Sequence, residues 1–246
     1  MLHKSKKIKF ISDGIELSGV LTYIIGERKS PGVLFIHGGG KSSKERFARW
    51  QNNLIKLGIN SLAFDLRGVG ESKGEFVDSS LNNRLIDSVN ALNFFLSTGL
   101  IDKKRVAVIG SSMGAYIAIK LSKAKKGIKA LILVSPAAYA EEAESKKMNA
   151  LFTKVISRKN SWLNSSAFRI LKNYKNPVMV VYGSKDSVIP EGIKKKYSDV
   201  LKKEDLYIVI NNGRHTLLDP KKESEQIAFE QLLNESGKFL LRVVFH

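Results

Sequence analysis

The chain has 246 residues, 43% of them apolar, enough to bury one sizeable core and to exclude disorder over most of its length. It contains no cysteine, which excludes a disulfide framework, a thiolate metal site and a cysteine nucleophile. A formal net charge of +18 would suit a nucleic acid or an anionic surface, but the lysines are spread over almost every segment and seldom alternate with aromatics, so no specific nucleic acid is expected.

The first ten residues are basic and lead into an alternating stretch interrupted by Asp13 and Glu16 rather than into an apolar run, so no secretory signal is read. No stretch of about 18 apolar residues follows, which argues against a membrane-spanning helix and makes the cytoplasm the expected location. Residues around Lys6 to Tyr23 read as an antiparallel edge, with a strand from Gly14 to Tyr23. Further strands are expected at Val33 to His37, Asn60 to Asp65, Arg105 to Gly110, Ala130 to Ser135, Val178 to Gly183 and Leu206 to Ile210. The middle ones are nearly continuous in apolar residues, as strands covered on both faces should be. Helical patterns lie between them, at about Lys44 to Leu57, Leu81 to Ser97, Met113 to Lys125, Glu191 to Leu201 and from Glu223 into the low 240s. This alternation predicts one α/β domain over residues 1–246, a mostly parallel sheet with helices on both faces.

Residues 137–176 break the rhythm, being too long for a simple crossover. Met148, Leu151, Phe152, Val155 and Ile156 fall on one helical face there, so the segment is expected to be a small helical cap inserted in the domain.

The strongest chemical signal is Gly110-Ser111-Ser112-Met113-Gly114, placed between an expected strand and an expected helix. In a G-x-S-x-G elbow the serine sits on a strained turn that exposes its oxygen at the carboxyl end of the sheet, and the next residue's amide faces the position of an oxyanion. A serine hydroxyl needs a base to take its proton. Of four histidines, His3 and His246 are terminal and His37 precedes the serine in a position suited to shaping a loop, which leaves His215. The acid that orients this base is expected to be Asp186, at the end of a buried strand, whereas Asp199 and Asp205 fall on a helix and at a strand start. Gly39, with Gly40 next, is the candidate to join Met113 in an oxyanion hole. Phosphate-loop readings fail: Phe35 stands where a Walker loop needs glycine, and Lys73 where a dinucleotide fingerprint does.

Gly-Ser-Ser-Met-Gly, His37-Gly38-Gly39-Gly40, the Asp186 and His215 loops and the run from Asp65 to Ser72 together resemble the α/β-hydrolase superfamily, in the group of carboxylesterases, monoacylglycerol lipases and serine-aminopeptidase-like hydrolases. The resemblance implies the α/β-hydrolase fold and a cytoplasmic serine esterase with Ser112, His215 and Asp186 as catalytic residues, Gly39 and Met113 as oxyanion donors and a small-molecule acyl substrate. It implies no cofactor and no metal. Met148 and Phe152 are candidate pocket residues, and Asp65 and Arg67 are expected to brace nearby loops. A thioesterase, lactone hydrolase or peptidase would use the same residues. A binding protein that kept the fold would not need all three of them.

Overall fold

Asp13 and Gly14 both take positive φ, 50° and 75°, the backbone that a tight hairpin turn demands. In the computed structural model, which describes residues 2–26, 28–40, 42–218, 220 and 222–244, this turn folds β1 (His3–Ser12) antiparallel onto β2 (Ile15–Ile24). The expected antiparallel edge is observed, extended to His3. Then follow β3 (Ser30–Ile36), α1 (Ala48–Lys56), β4 (Asn60–Phe64), α2 (Leu81–Ser97), β5 (Ile101–Ser111), α3 (Met113–Ala124) and β6 (Ile128–Val134). After them come α4 (Ala150–Ile156), α5 (Ser166–Asn173), β7 (Val178–Gly183), α6 (Glu191–Val200), β8 (Leu206–Ile210) and α7 (Glu223–Val244).

All eight strands join one sheet in the order β1-β2-β4-β3-β5-β6-β7-β8. β2 pairs antiparallel with β4, and every pairing from β4 to β8 is parallel. Alternate residues of the central strands enter separate cores. Val33, Phe35, Ala107, Ile109, Ile132 and Val181 pack with Trp50 of α1 and Phe229 of α7. Leu34, Ile36, Val108, Leu133 and Val180 face the other way, toward α2, α3 and α6. Burial on both faces explains why these strands read as unbroken apolar runs. The observed α/β architecture, helices on both faces of a mostly parallel sheet, is the one the sequence predicts.

Between β6 and β7 the chain forms two short helices, α4 and α5, and two 3₁₀ turns. Glu144 ties this segment down: it accepts from Tyr116 Oη at 2.6 Å, Lys120 Nζ at 2.7 Å and Ser166 Oγ at 3.2 Å. The apolar stripe is narrower than its sequence pattern. Met148, Phe152 and Val155, four and three residues apart, are buried, whereas Leu151 and Ile156 are 57% and 37% exposed. Those two lie at opposite edges of the apolar arc, and a helix of seven residues meets the body only along its centre line.

The expected first helix also differs, opening as a 3₁₀ turn at Lys44–Phe47 before α1 begins. Among the described residues no helix is long and apolar enough to cross a membrane.

Candidate active site

Ser112 is the residue between β5 and α3, with φ 53° and ψ −117°, a conformation in which a side chain is strained. The turn holds because its neighbours lack side chains. A Cβ on Gly114 would lie 2.2 Å from the Ile36 carbonyl oxygen and 2.4 Å from that of His37. One on Gly110 would lie 2.4 Å from the Gly114 carbonyl oxygen. Sheet, turn and helix therefore approach to distances only glycine permits. The Ser112 amide donates to the Val134 carbonyl at 2.8 Å, and its own carbonyl accepts from the amides of Ala115 and Ala137.

His215 follows β8 and its two ring nitrogens are both engaged: Nε2 lies 3.1 Å from Ser112 Oγ, and Nδ1 lies 3.0 Å from Asp186 Oδ2. Asp186 is fixed in turn, its Oδ1 accepting from the amides of Val188 at 3.0 Å and Ile189 at 3.2 Å. Burial pushes the Asp186 pKa up, but the hydrogen bond and charge of His215 and the Ile189 amide outweigh it, so the net shift is downward and the carboxylate stays ionised. The loops that carry the acid and the histidine are clamped together. A Cβ on Gly183 would stand 2.2 Å from the Gly213 carbonyl oxygen, and that same carbonyl accepts from the Lys185 amide at 2.8 Å. Lys194 of α6 adds a bond from its buried ammonium to the Asp186 carbonyl at 2.8 Å. Neither Gly213 nor Lys194 stands out in the sequence.

The glycine run after β3 lies beside the elbow. A Cβ on Gly38 would come 3.4 Å from Ser112 Cβ, and one on Gly39 would meet the Met113 side chain at 3.0 Å. Met148 and Phe152 are buried in the core on the α3 side, Phe152 with its ring 5.5 Å from that of Tyr139. They do not line the cavity of about 460 Å³ beside His215, which is walled by Lys185, Ser187, Val188, Arg214 and Thr216. Glu141 pairs with Arg169 at 3.0 Å, His3 sits in β1, and His246 lies outside the described residues. No cluster that could hold a metal ion occurs among the described residues.

A family model described as serine aminopeptidase, S33, matches residues 28–167, more than half of the chain. The chain belongs to this family of α/β-hydrolases. It is 37% identical over 101 residues to the multifunctional-autoprocessing repeats-in-toxin of Vibrio cholerae, a stretch that makes up 40% of this chain and 2% of the toxin. Protein bem46 of Schizosaccharomyces pombe is 28% identical over 164 residues, 65% of this chain and 52% of that protein. The chain thus spans at most about half the length of these two relatives. Among solved structures, Est1E of Butyrivibrio proteoclasticus with ferulic acid bound superposes with a TM-score of 0.77 at 20% identity, covering 97% of this chain and all of that one. At that identity the likeness shows the shared fold.

Buried polar groups outside the line of Asp186, His215 and Ser112 have different fates. His37 is fully buried, and desolvation together with the charge of Arg84 lowers its pKa to about 3. It is therefore neutral, with Nδ1–H donating to the Gly38 carbonyl at 2.8 Å and Nε2 accepting from the Leu66 amide at 3.0 Å, which fixes the loop that carries Gly39.

Lys44, 1% exposed, reaches Asp65 at 2.5 Å and Glu71 at 2.9 Å. Asp65 also accepts from the amides of Lys44 and Glu71. Arg67 is held by Asp87 at 2.8 Å. Asp65 and Arg67 thus brace this loop and its neighbours, as the sequence suggests.

Arg84 of α2 is the exception. It is fully buried, and none of its three guanidinium nitrogens has an acceptor among the described residues, because the Asp87 carboxylate one turn along is taken by Ser12 and Arg67. The ring of Phe76 lies 5.1 Å from the guanidinium carbon. A desolvated cation–π contact returns about 2 kcal/mol, whereas the effective cost of burying a charge is several kcal/mol. Desolvation lowers the Arg84 pKa to about 10, so the group remains charged at neutral pH.

Proposed function

We propose that the chain is a serine hydrolase that cleaves a carboxylic ester of a small acyl group through an acyl-enzyme. The observation that carries this reading is the unbroken hydrogen-bonded line from Asp186 through His215 to Ser112 on a strained elbow. His215 Nε2 takes the Ser112 proton as Oγ attacks the ester carbonyl, and the resulting imidazolium is stabilised by Asp186 across the Nδ1–H bond. The amides of Gly39 and Met113 receive the oxyanion, where fixed donors stabilise developing charge without having to reorient. The Met113 amide opens α3 and so adds the positive end of that helix. His215 then returns its proton to the leaving alcohol and activates the water that releases the acid. That Est1E was solved with ferulic acid bound agrees with an ester of a carboxylic acid as substrate.

The test is a panel of p-nitrophenyl esters of rising acyl length, run beside acyl-thioesters and aminoacyl anilides, with wild type and Asp186→Asn. Ester turnover that falls by several orders of magnitude in Asp186→Asn is the expected result. Cleavage of the anilides alone would move the assignment to a peptidase, the activity named in the family's description.

A further inference from the structure

We propose that Arg84 anchors a carboxylate at the far end of the substrate's acyl chain, so that the preferred substrate is a half-ester of a dicarboxylic acid; this rests on the ester-hydrolase reading above. The guanidinium carries its full set of donors into the interior, with no acceptor for Nε, Nη1 or Nη2 among the described residues. The contact with Phe76, 5.1 Å from the guanidinium carbon to the ring centre, leaves those donors without an acceptor. A planar fork of this kind matches a carboxylate, which can take two parallel hydrogen bonds. One carboxylate also balances one guanidinium, whereas a phosphate dianion would bring surplus charge into a desolvated site.

Two residues beside the elbow feel the charge of Arg84. Its charge acts on His37, which adjoins Gly38, and a Cβ on Gly38 would lie 3.4 Å from Ser112 Cβ. Its charge also acts on Tyr139, two residues beyond Ala137, whose amide donates to the Ser112 carbonyl at 3.3 Å. Tyr139 packs edge-on against Tyr116 of α3 at 5.1 Å and against Phe152 of α4 at 5.5 Å. Phe76, the ring against the guanidinium, is only partly buried. For an acyl chain to reach Arg84, the Phe76 ring must swing aside and admit it.

The experiment compares kcat/KM for the p-nitrophenyl half-esters of adipic and suberic acid with that for p-nitrophenyl hexanoate and octanoate, which match them in length. In wild type the half-ester of one length exceeds its neutral counterpart by at least about tenfold, the worth of a hydrogen-bonded charge pair. In Arg84→Met that ratio falls to about one, and in Arg84→Lys it lies between. Binding is measured separately: adipate alone, titrated calorimetrically into Ser112→Ala, binds, and the additional change Arg84→Met abolishes binding. A ratio near one in wild type, a ratio unchanged in Arg84→Met, or no adipate binding by Ser112→Ala overturns the proposal. If no ester is turned over at all, the ester-hydrolase reading fails, and adipate binding to Ser112→Ala still decides the role of Arg84.

Discussion

Replacing Lys44 by methionine should destabilise the protein severely although it removes a lysine from a chain rich in them. The ammonium is 1% exposed and its partner Asp65 is not exposed at all, so the substitution strands a carboxylate in the interior with only the amides of Lys44 and Glu71 left to it. Breaking a buried pair in this way costs about 3 to 5 kcal/mol. For a domain of this size each kcal/mol moves the melting temperature by about 2 to 4 °C, so a fall of about 6 to 20 °C is expected in a thermal melt. Adding Asp65→Asn should recover part of the loss, because it neutralises the stranded charge while keeping an acceptor for one of the two amides. The effect has a defined pH range. Burial opposes the Lys44 charge but the carboxylates of Asp65 and Glu71 outweigh it, so its pKa lies above the ordinary 10.5. A raised pKa stabilises fully below the unfolded value and loses that contribution only as pH climbs through the folded one. The gap between wild type and variant should therefore be constant from about pH 6 to 9. A fall below about 3 °C, or a double variant no more stable than Lys44→Met, would refute the reasoning.

Gly114→Ala should be damaging for a different reason, since its Cβ would sit 2.2 Å and 2.4 Å from two backbone oxygens that cannot move aside. A loss of about 3 kcal/mol or more is expected from the urea midpoint, and a loss under 1 kcal/mol would mean that the elbow opens more easily than its packing indicates. Phe152→Ala should cost about 3 to 5 kcal/mol, because the ring is buried against Tyr139. It should leave the preferred acyl length in the ester panel unchanged, because the ring lies in the core and outside the cavity beside His215; a shifted profile would place it in the substrate pocket.

The fold was legible because its central strands are buried on both faces and its helices on one, which gives runs such as Val106 to Ile109 and Leu131 to Val134 a pattern unlike the segments between them. The elbow at Ser112 was legible from its two glycines, and the loops of Asp186 and His215 from chain order and strand ends; the structure brings the three side chains together. The burial of Lys44 was not, because its carboxylate partner Asp65 stands 21 positions away on another element. Arg84 was harder still: Asp87 looks like its natural partner one turn along the helix, yet Arg67 and Ser12 already occupy that carboxylate. Leu151 and Ile156 show the converse, apolar residues on the correct arc of a helix too short to bury its edges. Periodicity reports which face is apolar; how wide a surface receives it is set by the rest of the chain.

The central claim is that Ser112 is the nucleophile, and the most direct measurement is its covalent capture by a fluorophosphonate probe followed by peptide mapping. The account predicts a single modification on Ser112 that vanishes in Ser112→Ala and slows by several orders of magnitude in His215→Ala. Undiminished labelling of Ser112→Ala, or a map that places the adduct on another residue, would contradict it.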